Sequence, residues 1–155
     1  MKILSTDQAS AITGVAVFDE GNLIKYDLID LHKIKYQDER FQIMVKSIDD
    51  YIETEKPDYV IIEDVSLQTN VATLLLLARI QGAIFQSCIA RNIPYKVYKP
   101  TTWRKILGIK QGNKIKRPEL KKQAYEYVLN TYGLDLKIDQ CEAICIGKAF
   151  LLEKD

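Results

Sequence analysis

The apolar run YVII at residues 59–62 is followed at once by two acids, Glu63 and Asp64. A carboxylate at the edge of a core costs free energy or shifts its pKa unless something answers its charge, so acids placed there call for a reason. Three others invite comparison. Asp7 ends the first apolar run, and Asp139 and Glu142 lie three apart on an expected final helix, where that spacing puts them on one face. If the first and fourth strands are neighbours, Asp7 and Glu63 meet at one end of the sheet, and a helix packed across that end delivers the other pair. Four carboxylates with no matching cations repel one another unless divalent cations occupy the space between them. Two such ions about 4 Å apart can activate a water, orient it in line and stabilise the leaving oxygen of a phosphodiester.

Each acid also has an ordinary explanation. TDQAS, around Asp7, is good turn material. Glu63 and Asp64 could simply close a strand at the surface, and D-x-x-E at 139–142 also fits a capping box at a helix N-terminus. The ordered set, with one acid on strand one, one on strand four and two on the last helix, is more specific than any member.

The elements that must position these acids read as follows. KILS, GVAVF and LIKYDLIDL are three strands in an antiparallel meander, with DEGN as a hairpin turn. Residues 37–56 place Phe41, Met44 or Val45, Ile48 and Ile52 at helical spacing, with Pro57 closing the segment. A strand, DYVIIEDV, follows. Residues 68–91 predict a second helix that is apolar on two sides: Val71, Leu75, Ala78, Gly82, Phe85 and Ile89 on one, Leu76, Leu77, Ile80 and Ile84 on the other. Such a helix is buried on two sides, one against the sheet and the other against a second subunit, or else wholly within the monomer. YKVY is a short strand and TTWRKILG a short helix. Residues 109–117 are polar, basic and glycine-containing, which suggests a mobile loop. Pro118 opens a helix to Tyr132 with Leu120, Ala124, Tyr127, Val128 and Tyr132 inward, and a last helix spans Asp139 to Leu152. The order implies an α/β fold with a mixed five-stranded sheet, strands 1–3 antiparallel and strands 4 and 5 parallel, and helices on both faces.

Residues 1–155 suit one globular domain. The absence of a charged-then-apolar leader, and a longest apolar run of only LLLLA, point to a soluble intracellular protein with no membrane role. Cys88, Cys141 and Cys145 form no CxxC pair and His32 is the single histidine, which argues against a Cys/His zinc site and for cysteines as small core residues in a reducing compartment. The net charge of +1 hides an uneven distribution: Lys96–Lys122 holds ten of the 22 basic residues and, in Glu119, one of the 21 acids. A polyanion binder needs such a concentration, although a solvated helix face also shows it.

Taken together, LSTDQASAITGVAVF, YVIIEDV, TLLLLARIQGAIF, PTTWRKILGIKQGNKIKR and IDQCEAICIGKAF resemble the RuvC-type Holliday-junction resolvases of the ribonuclease H-like superfamily, in order and over nearly the whole chain. The length and the STDQAS opening are similar to the small phage-encoded branch. The resemblance implies Asp7, Glu63, Asp139 and Glu142 as a metal-binding catalytic set for magnesium, with manganese able to substitute. Glu142 stands where many members carry aspartate, and Ser66 stands where cellular resolvases carry a base-stacking phenylalanine. Asp64 is an additional acid. The resemblance further implies DNA contacts: Lys114, Lys116 and Arg117 near the scissile phosphate, Lys110 and Lys121 on the backbone. It also implies a homodimer with two active sites, in keeping with the doubly apolar helix.

The expected function is therefore structure-selective endonuclease cleavage of four-way and other branched DNA, by phosphodiester hydrolysis without a covalent intermediate, in the cytoplasm (of an infected bacterial host if phage-encoded). The alternatives are a ribonuclease H-like enzyme acting on RNA–DNA hybrid and a junction-binding module without activity. A sugar-kinase or actin-like ATPase needs two such domains and glycine-rich phosphate loops, for which seven glycines in 155 residues leave little room.

Overall fold

A computed structural model describes residues 1–67 and 70–155. Three strands open it, β1 (Lys2–Asp7), β2 (Ile12–Asp19) and β3 (Asn22–Asp30). They are followed by α1 (Gln37–Glu55), β4 (Tyr59–Glu63), α2 (Val71–Ala90) and β5 (Tyr95–Tyr98). Three helices complete the chain: α3 (Pro100–Ile106), α4 (Arg117–Tyr132) and α5 (Ile138–Lys154). The sheet order is β3-β2-β1-β4-β5, antiparallel from β3 to β1 and parallel from β1 to β5. It is the mixed sheet the sequence predicts, and β1 and β4 are the neighbours that a meeting of Asp7 and Glu63 requires. Glu20 and Gly21, at the tip of the β2–β3 hairpin, both adopt left-handed backbone, the conformation that matches a two-residue turn to strand twist.

Alternation along the central strands sends side chains to two separate cores. Leu4, Val15, Val17, Val60 and Ile62 meet Met44, Ile48 and Ile52 of α1 and Leu76, Ile80, Ile84 and Cys88 of α2. On the other face Ile3, Ala16, Phe18 and Ile61 meet α3, α4 and above all α5, whose residues from Cys141 to Leu151 are nearly all buried. The sheet thus holds helices on both faces, and α5 runs across β1 and β2. All three cysteines are free and buried.

Small residues let α5 come this close. A Cβ on Gly147 would lie 2.5 Å from Ser5 Oγ and 2.6 Å from Phe18 Cε2. Ser5 in turn donates to the Ala143 carbonyl at 2.7 Å, which pins the helix to the central strand.

The helix expected over 68–91 is present as α2, with residues 68 and 69 of that span outside the described residues. Leu76, Ile80 and Ile84 are buried as expected, while Val71, Leu75, Ala78, Gly82 and Ile89 are exposed, so burial of both sides within this chain does not occur. Phe85, on the flank, stacks on Tyr95 with ring centroids 4.6 Å apart. The contiguous run LLLLA understates this helix: by length and composition α2 is apolar enough to cross a membrane, with a mean hydropathy of 1.4 over 18 residues. Its other side is bound into the fold, through the core described above and through Ser87 and Arg91, which both reach Asp49 of α1.

The expected mobile loop is tethered at its start. Ile109 is buried, and the Gln123 side chain clamps the Lys110 main chain, accepting from its N–H at 2.8 Å and donating to its carbonyl at 3.0 Å.

Candidate active site

Asp7 is the last residue of β1 and Glu63 the last of β4. Thr6 pairs with Ile62 in parallel register, so the two acids stand side by side one step further on, at the same end of the sheet. On the other flank Asp7 pairs with Gly14 of β2, and the first turn of α5 rests on that glycine. Glu142, one turn into α5, is thereby brought against the strand ends. Asp7, Glu63 and Glu142 each offer a carboxylate oxygen within 4.8 Å of the others.

Asp139 lies outside that triplet but close enough for its charge to act on Asp7 and Glu142. The capping-box explanation for Asp139 and Glu142 does not hold. The helix starts one residue earlier than expected, and Gln140 makes the reciprocal cap, accepting from the Lys137 N–H at 3.2 Å. Both acids are left free of capping duty.

The electrostatics are those of anions forced together. Burial, reinforced by Glu142, Glu63 and Asp139, holds the Asp7 carboxyl well above the usual range. Glu142, also buried, is pushed up to about 7, first by desolvation and then by Glu63, with Arg104 and Lys121 acting against the rise. Glu63 is raised by burial in spite of a hydrogen bond from Trp103 and the charges of Arg104 and Arg117. Among the described residues no lysine or arginine makes a direct ion pair with any of the four acids. A set of hard oxygen donors, largely withdrawn from water and without a paired cation, fits divalent ions such as magnesium.

The five basic residues expected to touch DNA divide into two groups, but not the expected ones: Lys121 joins Arg117 at the acids, while Lys114 and Lys116 lie with Lys110. Lys121 acts on Asp7 and Glu142, and Arg117 acts on Glu63, so α4 carries positive charge to the rim of the cluster. Lys110, Lys114 and Lys116 are exposed on and beside the α3–α4 loop, and none is among the main charges acting on Asp7, Glu63 or Glu142. Asp64, the additional acid, is a local organiser. Its Oδ1 accepts from its neighbour Val65 N–H at 2.9 Å and from Gln81 Nε2 of α2 at 3.1 Å.

Three residues of the site carry no signal in the acid pattern. Gln8 donates to the Glu63 carbonyl at 2.6 Å and ties the end of β1 to the end of β4. Trp103, fully buried on α3, donates its indole N–H to Glu63 Oε2 at 2.7 Å. Arg104 acts on Glu63 and Glu142, and its buried Nε has no hydrogen-bond partner among the described residues. The only sequence hint was a lone tryptophan beside two basic residues directly after a strand.

The family model for crossover junction endodeoxyribonuclease RuvC matches residues 3–139. Asp7, Glu63 and Asp139 fall within that match; Glu142 lies beyond it and is placed by geometry alone. The crossover junction endodeoxyribonuclease RuvC of Fusobacterium nucleatum is 23% identical over 132 residues, 83% of this chain and 68% of that protein. The one from Alkaliphilus oremlandii is 32% identical over 116 residues, 72% of this chain and 67% of that protein. In fold, the chain is similar to Thermus thermophilus RuvC in complex with Holliday junction substrate, with a TM-score of 0.79 at 14% identity over 99% of this chain and 95% of that one. Fowlpox virus resolvase in complex with Holliday junction DNA gives 0.61 at 20% identity, over 99% and 98%. Acids at the ends of the first and fourth strands, a final helix that closes on them and a family match over most of the length agree: the chain belongs to the RuvC family of crossover junction endodeoxyribonucleases.

Proposed function

We propose that residues 1–155 act as one nuclease domain that resolves four-way DNA junctions, and cuts other branched DNA, by metal-dependent phosphodiester hydrolysis inside the cell. The observation that carries the reading is the convergence of Asp7, Glu63 and Glu142 within 4.8 Å, with no lysine or arginine ion-paired to them among the described residues. Asp139 completes a four-carboxylate set that would hold magnesium, with manganese as a substitute. When bound, such ions supply a Lewis acid for the attacking water and for the oxygen that leaves.

The chain's own groups do the rest. Asp7 and Glu63 are fixed by the strand ends and Glu142 by a helix buried along most of its length, so the donor oxygens need little rearrangement on binding. Lys121, Arg117 and Arg104 border the carboxylates, where they can take the non-bridging oxygens of the scissile phosphate and hold it beside the acids. Lys110, Lys114 and Lys116, further out, suit contacts to neighbouring backbone phosphates, which position DNA without reading its sequence. No side chain is required as a covalent nucleophile. A dimer joined through the exposed face of α2 would present two such sites to the two symmetry-related strands of a junction.

The test is cleavage of a labelled synthetic four-way junction with magnesium, comparing wild type with Glu63→Gln, and with duplex and RNA–DNA hybrid as controls. Paired symmetric nicks in the junction, abolished in the variant while junction binding persists, are expected. Junction binding without cutting by wild type in either magnesium or manganese would point to a binding module, and cutting of the hybrid alone to a ribonuclease.

A further inference from the structure

Glu63 is held at two points by residues outside the carboxylate set. Gln8 fixes its carbonyl, and the Trp103 indole N–H takes one oxygen of its carboxylate, Oε2, at 2.7 Å. Trp103 is 0% exposed and sits on α3, immediately after β5. Because Glu63 pairs with Tyr98 across β4 and β5, the start of α3 is delivered to the end of the strand that carries Glu63. An indole N–H is a donor with no acceptor capacity, and a buried one usually finds a hydrogen-bond partner. Here its partner is a carboxylate in a crowd of like charges, the geometry of a charge-assisted bond. The same ring has the Arg104 guanidinium 5.0 Å from its centroid, so the tryptophan touches both an acid of the cluster and a base beside it.

We propose that Trp103 is a positioning residue for the metal-holding acids: its indole N–H occupies Oε2 of Glu63 and turns the other carboxylate oxygen toward Asp7 and Glu142. This rests on the reading of the cluster as a metal site. Without the indole, Glu63 can rotate about its terminal bonds or offer both oxygens, and the three acids no longer share one fixed arrangement. Groups that orient a metal ligand from behind typically affect affinity by about 10- to 100-fold, and Trp103 falls in that class.

Trp103 is the single tryptophan of the chain, so the test needs no assignment. In wild-type protein labelled with 15N, the one indole N–H resonance is followed while magnesium is added. It is expected to move with a saturable dependence on magnesium, and to move little in Glu63→Gln. A resonance that ignores magnesium in wild type, while calorimetry shows the ion binding, would overturn the proposal and leave the metal site standing. Calorimetry showing no magnesium or manganese binding to wild type would overturn both. In parallel, Trp103→Phe keeps the ring and removes the donor. Manganese affinity is expected to fall at least about ten-fold while metal-free junction affinity stays unchanged. An unchanged manganese affinity in a folded Trp103→Phe protein would also overturn the proposal.

Discussion

A Cβ placed on Gly14 would lie 1.9 Å from the carbonyl oxygen of Asp139, a separation no side chain can occupy. Gly14 stands opposite Asp7 in the β1–β2 register, so the one residue that lets the first turn of α5 touch the sheet is also the neighbour of the first acid. The requirement is one of space, since Gly14 is not among the positive-φ residues. Gly14→Ala is therefore expected to lift the start of α5 and carry Asp139 and Glu142 away from Asp7. Overpacking of this kind costs about 1–3 kcal/mol, measurable by denaturant unfolding. Manganese affinity, followed by calorimetry, should fall together with stability. A loss of stability with full retention of manganese affinity would show that the contact serves folding alone.

The crowded acids also set a sign for pH dependence. Glu142 has its folded pKa raised from 4.5 to about 7, and Asp7 and Glu63 are raised as well. Raised acids bind more protons folded than unfolded, so the penalty they impose is fully present above the folded pKa and vanishes as pH falls below the unfolded one. For Glu142 alone it is on the order of 3 kcal/mol above pH 7, and it disappears by about pH 4.5. Asp30, Asp49 and Glu153 are lowered by their partners and act in the opposite sense, but only as pH falls toward and below ordinary carboxylate values. The metal-free protein is thus expected to melt at a higher temperature at pH 5 than at pH 8, and Glu142→Gln to flatten that difference. Magnesium should raise the melting temperature more at pH 8, where it replaces protons that have left. A metal-free melting temperature that climbs from pH 5 to pH 8 would contradict the electrostatic account.

The basic residues should separate by what they change. Lys114→Ala and Lys116→Ala remove exposed charges that are not among the main ones acting on Asp7, Glu63 or Glu142, and are expected to weaken junction binding, each reducing the slope of log affinity against log salt by about one. Lys121→Ala and Arg104→Ala remove charges that act on Glu142, so turnover at saturating junction should fall more than affinity does. Fluorescence anisotropy over a salt series, set beside single-turnover cleavage, distinguishes the two groups. Equal effects of all four substitutions on slope and turnover would mean that the segment acts as one undifferentiated patch.

The positions of Asp7, Glu63 and Glu142 were legible because strand ends and a three-residue helical spacing survive any detail of packing. The mixed sheet followed from the same patterns, since a meander and two crossover units leave few arrangements. That β1 lies beside β4 is a condition those patterns leave open, and the register meets it. Side-chain partnerships that depend on where α3 lands were not legible. Trp103 and Arg104 lie forty residues from Glu63, in a short helix whose sequence reads as ordinary, and only the β4–β5 register brings them to the acid. The cap on α5 was misplaced for a related reason: D-x-x-E and the true Lys137–Gln140 pair differ by a shift of two residues, and single-sequence spacing does not separate them. The tether on Lys110 depends on Gln123 of the next helix, which composition cannot reveal.

The uncovered face of α2 gives the last prediction. Val71, Leu75 and Ile89 are 66%, 48% and 58% exposed, in line with exposed Ala78 and Gly82. A Cβ at Gly82 would meet nothing within 4 Å, so this face has room at its centre for a close approach of another helix. Apolar area left in water along most of a 20-residue helix suits an interaction surface, and the proposed symmetric dimer would bury it against itself. On that proposal wild type is expected to sediment as a dimer, and Leu75→Glu as a monomer at the same concentration. The fold of each chain should persist, because the substituted side chain points into solvent. Gly82→Arg should act similarly by filling the space at the centre of the face. If two strands are cut by two subunits held together, these variants should convert paired nicks in a junction into single ones while retaining the metal affinity of wild type. A wild-type protein that sediments as a monomer and still makes paired nicks would remove the dimer from the mechanism.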